Sequence, residues 1–321
     1  MKKASETSPW RPSLRQTPGW PLLALALCLF LRLPEVRSAA PDSFCVATFN
    51  LENYHLRPFG NRPVKSPEGR RQVVAEILAV QPDVLAVQEI GEREALEELQ
   101  TRLHEAGLVL PHLEHVGGWD TNIFVGVLSR FPMTARRPHP RESYLLNGRR
   151  LFTSRGIVEL DLEVSPRYRF TLLTTHLKSK RQSVSADESE MREAEARILR
   201  ARVDSLLTQS PQVNLVVCGD FNDTRDSPTL RTLVGRGKSA LVDARPAERN
   251  GDNASTDGSR TVTWTHFYGK EDTYSRIDYV LLSRGMAREW RKEESYVFAG
   301  ANWGLASDHR PVVCEFSAVD R

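Results

Sequence analysis

Two short polar segments, each joined to an apolar run, carry the residue types that metal and phosphate chemistry requires. A Gly-Asp-Phe-Asn segment at 219–222 follows the apolar run 213–218, and a Ser-Asp-His-Arg-Pro segment at 307–311 precedes another. Asp220 and Asn222 are two residues apart, so on an extended backbone their side chains point the same way. Both offer hard oxygen atoms, which suit magnesium or calcium better than zinc. A turn is the structural alternative for 219–222, because turns also use Gly, Asp and Asn.

Polar residues at the ends of other apolar runs extend this pattern along the chain. In an α/β fold, the ends of buried strands form the edge of the ligand crevice. One such residue is ordinary, but six positions interleaved with six core strands indicate a shared site. The six positions are Asn50, Glu89, His176, Asp220 with Asn222, Asp278, and Asp308 with His309.

Alternating helix and strand patterns must position these residues. One helix is predicted to begin at Ser66 and end before Pro82, and a second runs from about Glu92 to Gly107. A third helix has Ser185 as its predicted amino-terminal cap. Apolar runs predict strands at 44–49, 84–87, 123–128, 155–164, 170–175, 212–218, 262–265, 277–282 and 312–316. Many strands with interspersed helices indicate a layered α/β sandwich in a single domain.

The ordered motifs resemble those of a known superfamily. Thr-Phe-Asn, Val-Gln-Glu, Thr-His-Leu, Gly-Asp-Phe-Asn, Arg-Ile-Asp-Tyr and Ser-Asp-His-Arg-Pro follow one another as in the endonuclease/exonuclease/phosphatase superfamily, the fold of pancreatic-type deoxyribonuclease. The match covers residues 44–317, and the chain is similar to exported bacterial members. The resemblance implies an α/β fold, a four-layer α/β sandwich of two packed mixed β-sheets flanked by helices. It also implies divalent-metal-dependent hydrolysis of phosphoesters.

The resemblance also implies metal ligands. Glu89 matches the principal ligand, and Asn50 and Asp308 match residues near the same ion. We expect Mg²⁺, with Mn²⁺ or Ca²⁺ as alternatives. Asp220 and Asn222 match the pair that orients the attacking water and holds a phosphate oxygen or a second ion. A divalent ion neutralises phosphate charge and lowers the pKa of bound water.

The same resemblance implies roles for two histidines. His309 matches a base or phosphate contact that Asp278 holds, and a carboxylate partner would fix its tautomer. His176 matches a second histidine that protonates or stabilises the leaving oxygen. Taken alone, His176 has the alternative of a structural histidine, and Asn50 that of a turn cap. Six histidines are not assigned a role, because none shares the strand-end pattern. They are His55, His104, His112, His115, His139 and His266.

Three residues are predicted to contact the substrate. Lys178 and Arg181 follow His176 in a cationic segment, which suits phosphate recognition, although solvated surface charge is the alternative. Asn122 lies in a segment that resembles a substrate-contacting loop. The favoured function is a nuclease or phosphodiesterase acting on DNA or RNA. The alternatives are a phosphomonoesterase or a lipid phosphodiesterase of the inositol-phosphate or sphingomyelin type, and a non-catalytic binding module.

Charge and hydropathy divide the chain near residue 40. Residues 1–40 hold six Lys or Arg and two Glu, a net charge of +4. Because the whole chain has a net charge of +3, residues 41–321 have a net charge of −1. A nearly neutral body gives no argument for nucleic-acid binding by overall charge. Residues 1–40 also have the order of a secretory signal, with basic residues, the apolar run 22–31 and then small residues. That run is shorter than the roughly 20 residues that span a bilayer.

These features predict an exported protein, periplasmic or secreted, with residues 1–40 as a signal or targeting segment and residues 41–321 as the catalytic domain. An uncleaved leader is the alternative and would be the only membrane contact. We expect a monomer with no stable protein partner.

Overall fold

Strands and helices alternate through the computed structural model, which describes residues 41–60, 62–248 and 263–321. The helices are α1 (Pro67–Val80), α2 (Arg93–Glu105), α3 (Glu188–Gln209), α4 (Pro228–Val234), α5 (Arg284–Glu289) and α6 (Trp303–Ala306). The strands are β1 (Ser43–Tyr54), β2 (Val84–Ile90), β3 (His112–Val116), β4 (Phe124–Ser129), β5 (Met133–Arg136), β6 (Ser143–Leu146), β7 (Arg149–Phe152), β8 (Val158–Ser165), β9 (Tyr168–His176), β10 (Leu215–Asp220), β11 (Val242–Asp243), β12 (Ala247–Glu248), β13 (His266–Tyr268), β14 (Thr273–Ser275), β15 (Asp278–Leu282), β16 (Tyr296–Val297) and β17 (Val312–Ser317).

Two large sheets contain most of the strands. The first has the order β12-β16-β17-β1-β2-β4-β3, and the second has the order β11-β15-β10-β9-β8-β5. In the first sheet β1 is parallel to β2 and antiparallel to β17. In the second sheet β10 is parallel to β9 and antiparallel to β15. Both sheets are therefore mixed, as predicted.

Three apolar clusters join the layers. The largest lies between the sheets, where the ring of Phe44 stacks on Phe170 and Phe316 at centroid distances of 5.0 and 5.5 Å. A second cluster packs α1 and α2 against the outer face of the first sheet. A third packs α3 and α4 against the outer face of the second. The predicted four-layer α/β sandwich, with two packed mixed sheets flanked by helices, is confirmed.

Side-chain caps explain where two of the helices begin. Ser66 Oγ accepts a hydrogen bond from Gly69 N at 2.9 Å and starts α1, as predicted. The predicted cap Ser185 of α3 is wrong. Asp187 caps α3 instead, and its Oδ1 accepts hydrogen bonds from Ser189 N and Glu190 N at 2.9 and 3.1 Å. The carboxylate is the stronger acceptor for the orphan amides at the start of a helix.

Strand register brings the polar strand ends together. Asp220 lies opposite His176 on one side and Asp278 on the other. In the first sheet Asn50 lies opposite Gln88, so Glu89 follows on the neighbouring strand. Because the parallel strands end at the same edge and the antiparallel strands begin there, these side chains meet at one edge of the sandwich.

Gly219 permits the close approach of β10 to β9 immediately before Asp220. Its φ is +138°, and a Cβ there would lie 2.0 Å from the carbonyl oxygen of Thr175. Gly219→Ala is therefore expected to lower the free energy of unfolding by at least about 3 kcal/mol, as measured by urea denaturation. Gly148→Ala is the control, because Gly148 also has positive φ but an added Cβ meets no atom within 4 Å. Equal losses in the two variants would contradict the steric explanation.

Glu76 is a buried acid on α1, away from the strand ends. It is 2% exposed, and the side chain of Gln72 only partly offsets the cost of burying its carboxylate. Burial raises the pKa of Glu76 from 4.5 to about 7. The protonated form is the one that the fold favours. The stabilisation that comes from protonated Glu76 is therefore fully present below pH 4.5, and it is lost as the pH rises through about 7.

Glu76→Gln is therefore expected to remove this pH dependence. The variant and the wild-type protein should unfold with nearly equal free energies at pH 5. At pH 8 the variant should be more stable by about 3 kcal/mol. Urea denaturation at the two pH values measures the difference. A difference that is the same at both values would show that Glu76 is not the group responsible.

The predicted leader, residues 1–40, lies outside the described residues and stays a prediction. Among the residues that are described, none of the helices combines the length and the apolar character that crossing a membrane requires.

Candidate active site

The carboxylate of Asp220 is the point on which the predicted residues converge. Asn50 Nδ2 donates a hydrogen bond to Asp220 Oδ2 at 3.0 Å. His176 Nε2 and His309 Nε2 lie 3.4 and 3.8 Å from the same oxygen. Asn222 N donates to Asp220 Oδ1 at 2.9 Å. Side chains from both sheets therefore surround one buried carboxylate, and its pKa is raised by burial and then by the charge of Asp278.

Asp278 orients His309. His309 Nδ1–H donates to Asp278 Oδ2 at 2.8 Å, which leaves Nε2 directed towards Asp220. Burial alone would lower the pKa of His309, but the charge of Asp278, followed by those of Asp220 and Asp308, raises it well above its ordinary value. The imidazole is therefore cationic near neutral pH, and it can donate a hydrogen bond to an anion.

His176 has the opposite electrostatic character. It is 1% exposed, and burial, followed by the positive charges of Arg155 and His309, lowers its pKa well below the ordinary value. Within the described residues its Nδ1 has no hydrogen-bond partner. The cluster thus holds one neutral and one cationic imidazole on the same carboxylate.

Glu89 lies in an adjoining group. Its Oε2 accepts a hydrogen bond from Asn53 N at 3.1 Å and lies 3.3 Å from Arg62 Nη1. Asn50 connects this group to Asp220. Its Nδ2 binds Asp220, and its Oδ1 accepts a hydrogen bond at 3.0 Å from the backbone N of Glu52, the residue before Asn53. The predicted metal residues Asn50 and Glu89 therefore lie on neighbouring strands at the edge of the Asp220 cluster.

Glu52 adds a third carboxylate near the predicted ligands. Its pKa is raised by burial and then by the charge of Asp308, with a further contribution from Glu89. Lys65 lies 3.7 Å from Glu52 Oε2 and is a nearby compensating cation. Carboxylate oxygens whose negative charges act on one another in this way fit a hard divalent cation, which takes oxygen ligands.

The predicted substrate residues lie in loops around the cluster. Asn122 N and Nδ2 both donate to Asp120 Oδ1 at 2.9 Å. Lys178 Nζ donates to the carbonyl oxygens of Ser179 and Arg181 at 3.1 and 2.8 Å. The Arg181 side chain is exposed. In this conformation Asn122 and Lys178 therefore bind their own loops.

Ser307 is a site residue that sequence reasoning missed. Its Oγ donates to the carbonyl oxygen of Asn50 at 2.7 Å and accepts from His309 N at 3.0 Å. It therefore joins β1 to the loop that carries His309. Ser307 stands within the 307–311 motif, but nothing in the motif shows that it contacts Asn50.

His266 was set aside, yet it lies in the cluster. Its ring centroid is 4.5 Å from that of His309, and its Nε2 is 3.8 Å from Asp308 Oδ2. Burial and then the charge of His309 lower the pKa of His266 to about 4, and Lys180 contributes to this shift. The predicted strand at 262–265 is wrong over its described residues 263–265, because β13 begins at His266. In the sequence His266 directly follows the predicted strand 262–265, so its position after that run is the signal that could have marked it.

The chain is similar to known proteins in sequence and in fold. The model of the Endonuclease/Exonuclease/phosphatase family matches residues 47–309. Nocturnin of Mus musculus is 27% identical over 278 aligned residues, which cover 79% of this chain but only 59% of that protein. The catalytic domain of human Nocturnin with bound sulfate has a TM-score of 0.61 at 19% identity, covering 87% of this chain and 95% of that one. Sphingomyelinase C from Streptomyces griseocarneus has a TM-score of 0.55 at 18% identity, covering 86% of this chain and 99% of that one. The chain belongs to the endonuclease/exonuclease/phosphatase family, whose members are divalent-metal-dependent phosphoester hydrolases.

Proposed function

We propose that the protein is a metal-dependent phosphodiesterase that cleaves nucleic acid. One observation carries the proposal: Asn50, His176 and His309 approach the same oxygen of Asp220 within 3.8 Å. A phosphodiester resists hydrolysis because its negative charge repels nucleophiles. Its cleavage needs cations and proton carriers at one place, which this cluster supplies.

Mg²⁺ is the cation that we propose for the site. Glu89, Asn50 and Asp308 would hold it, with Glu52 beside them, and Mn²⁺ or Ca²⁺ are alternatives with the same oxygen preference. When bound, such an ion supplies Lewis-acid stabilisation of the phosphoryl charge.

The residues around Asp220 transfer the proton and stabilise the charge of the phosphoryl group. Because its pKa is raised, Asp220 is suited to accept a proton from the attacking water near neutral pH. Asn222 donates to the other oxygen of Asp220 and fixes its orientation. His309 is cationic beside Asp278 and contacts a phosphoryl oxygen. Its raised pKa favours this role over that of a general base, because a base must be unprotonated. His176 donates a hydrogen bond to the leaving oxygen.

Nucleic acid is favoured over a small phosphomonoester by an aromatic surface in the loop before Asn122. Trp119 is 66% exposed, and its ring stacks on Phe152 at 4.9 Å. Such a platform suits base stacking, which is worth about 1–3 kcal/mol per base. Lys180 is close enough for its positive charge to lower the pKa of His266, and it adds a cation that can bind the phosphate backbone.

A substrate panel tests the proposed specificity. The full chain with Mg²⁺ would be assayed on single-stranded DNA, duplex DNA, RNA, bis(p-nitrophenyl) phosphate, p-nitrophenyl phosphate, inositol phosphates and sphingomyelin. We expect cleavage of a nucleic acid and of the model diester. Release of inorganic phosphate or phosphocholine, with nucleic acids left intact, would replace the proposal by a phosphomonoesterase or a lipid phosphodiesterase.

Export is part of the proposal and rests on the order of residues 1–40. Fractionation of producing cells should find the protein outside the cytoplasm. Deletion of residues 2–40 should retain it inside. An unchanged distribution after the deletion would contradict a targeting role.

A further inference from the structure

We propose that His266, Asp308 and His309 form a transition-metal site of zinc type, and that its occupation switches the enzyme off. One potential ligand atom from each of the three residues lies within 4.8 Å of the other two. The separations are 3.8 Å between His266 Nε2 and Asp308 Oδ2, and 3.9 Å between His309 Nε2 and Asp308 Oδ1. Two imidazoles and one carboxylate are a donor set that suits zinc rather than magnesium.

In both histidines Nδ1 faces a polar partner and Nε2 faces Asp308. His309 Nδ1 is bound by Asp278 Oδ2 at 2.8 Å, and His266 Nδ1 lies 3.3 Å from Ser275 Oγ. Each histidine therefore directs Nε2 towards Asp308. A carboxylate or hydroxyl on the distal nitrogen is the arrangement that orients metal-binding histidines in proteins. Zinc bound here would replace the Nε2 proton of His309, and that proton would be released to solvent.

The backbone keeps the two histidines in register. His266 and His309 form an antiparallel bridge. Phe267 N donates to the carbonyl oxygen of Asp308 at 2.9 Å, and Arg310 N donates to that of Thr265 at 2.8 Å. Zinc ligands at about 2.0–2.1 Å in a tetrahedral site lie about 3.4 Å apart. The two histidine–aspartate separations, 3.8 and 3.9 Å, exceed this by about half an ångström, and no pair of ligand atoms is more than 4.8 Å apart. Side-chain movements of at most about 1.4 Å for a pair therefore complete the site.

Inhibition rests on the proposed function, because Asp308 and His309 are the residues shared by the two sites. A zinc ion on their side chains removes a ligand of the catalytic cation and the imidazole that contacts the phosphate. Metal binding itself does not depend on the reaction, so the two halves of the proposal are separable.

The test compares His266→Gln with His104→Gln in the full chain purified without a histidine tag. His104 is an exposed histidine on α2 and serves as the matched control. Calorimetry measures the affinity for Zn²⁺, and the visible absorption of Co²⁺ reports a four-coordinate site with nitrogen ligands. We expect His266→Gln to weaken Zn²⁺ binding by at least about 10-fold and to abolish the Co²⁺ spectrum, with His104→Gln unchanged.

Activity measurements test the switch. Zn²⁺ should inhibit the Mg²⁺-supported hydrolysis of bis(p-nitrophenyl) phosphate by the wild-type protein. His266→Gln, with inhibition measured relative to its own rate without Zn²⁺, should need at least about 10-fold more Zn²⁺ for half-inhibition. Equal Zn²⁺ affinity in the wild type and His266→Gln would overturn the metal site. Binding through His266 without inhibition would overturn the switch. Binding through His266 in a protein that hydrolyses no phosphoester would leave the site standing and overturn the proposed function.

Discussion

Glu89→Gln is expected to lower kcat/KM for phosphodiester hydrolysis at saturating Mg²⁺ by about 10³-fold or more. The carboxylate is the proposed principal ligand of the catalytic cation. Losing about 4 kcal/mol of charge stabilisation corresponds to that factor. Glutamine keeps the size of the side chain and an oxygen that can accept the hydrogen bond from Asn53 N, so the fold should be retained.

Glu92→Gln is the matched control for this variant. Glu92 is three residues further along and pairs with the exposed Arg57 at the surface. Because a surface ion pair contributes at most about 1 kcal/mol, the control should keep the wild-type rate within a few-fold. If folded Glu89→Gln keeps more than about a tenth of the wild-type rate, Glu89 does not hold the catalytic cation.

His309→Ala is expected to lower kcat by about 10³-fold, because it removes the cationic group that we propose contacts the phosphate. Asp278→Asn should cost about 10–100-fold, since Asp278 acts by orienting and charging His309. The double variant tests this dependence. It should be no slower than His309→Ala alone, because the partner that Asp278 orients is already absent.

His104→Ala controls for the loss of an imidazole and should be as active as the wild type. Multiplicative losses in the double variant would show that Asp278 acts independently of His309. That result would contradict the geometry in which a 2.8 Å hydrogen bond joins the two side chains.

Much of the site could be predicted because it follows from strand register. Asp220, His176 and Asp278 end or begin adjacent strands, and each is marked in the sequence by the apolar run beside it. The alternation of strands and helices, together with the ordered motifs, was sufficient for the fold. These features are local patterns, and hydrogen bonding between strands converts them into proximity.

The residues that were missed lie where contacts are long-range. Ser307 bonds to Asn50 across 257 positions of the chain, and His266 reaches His309 through a bridge outside the main sheets. Glu52 follows the polar end of the first predicted strand, but only the fold brings Asp308 near it. No pattern of spacing encodes such contacts.

Charge in a loop was the least informative signal. The sequence shows that Lys178 is basic, but not that its ammonium group binds carbonyl oxygens of its own loop. The Ser185 cap failed for a related reason, because Asp187 two residues later offers a stronger acceptor to the same helix end.

The rate of bis(p-nitrophenyl) phosphate hydrolysis by the full chain, measured with Mg²⁺, with EDTA and with Mg²⁺ restored, tests the central claim most directly. We expect turnover with Mg²⁺, loss of turnover with EDTA, recovery on adding excess Mg²⁺, and turnover in folded Glu89→Gln with Mg²⁺ that is lower than in the wild type by about 10³-fold or more. Turnover that EDTA does not affect, or no turnover with Mg²⁺, Mn²⁺ or Ca²⁺, would contradict a cation-dependent phosphodiesterase at this cluster.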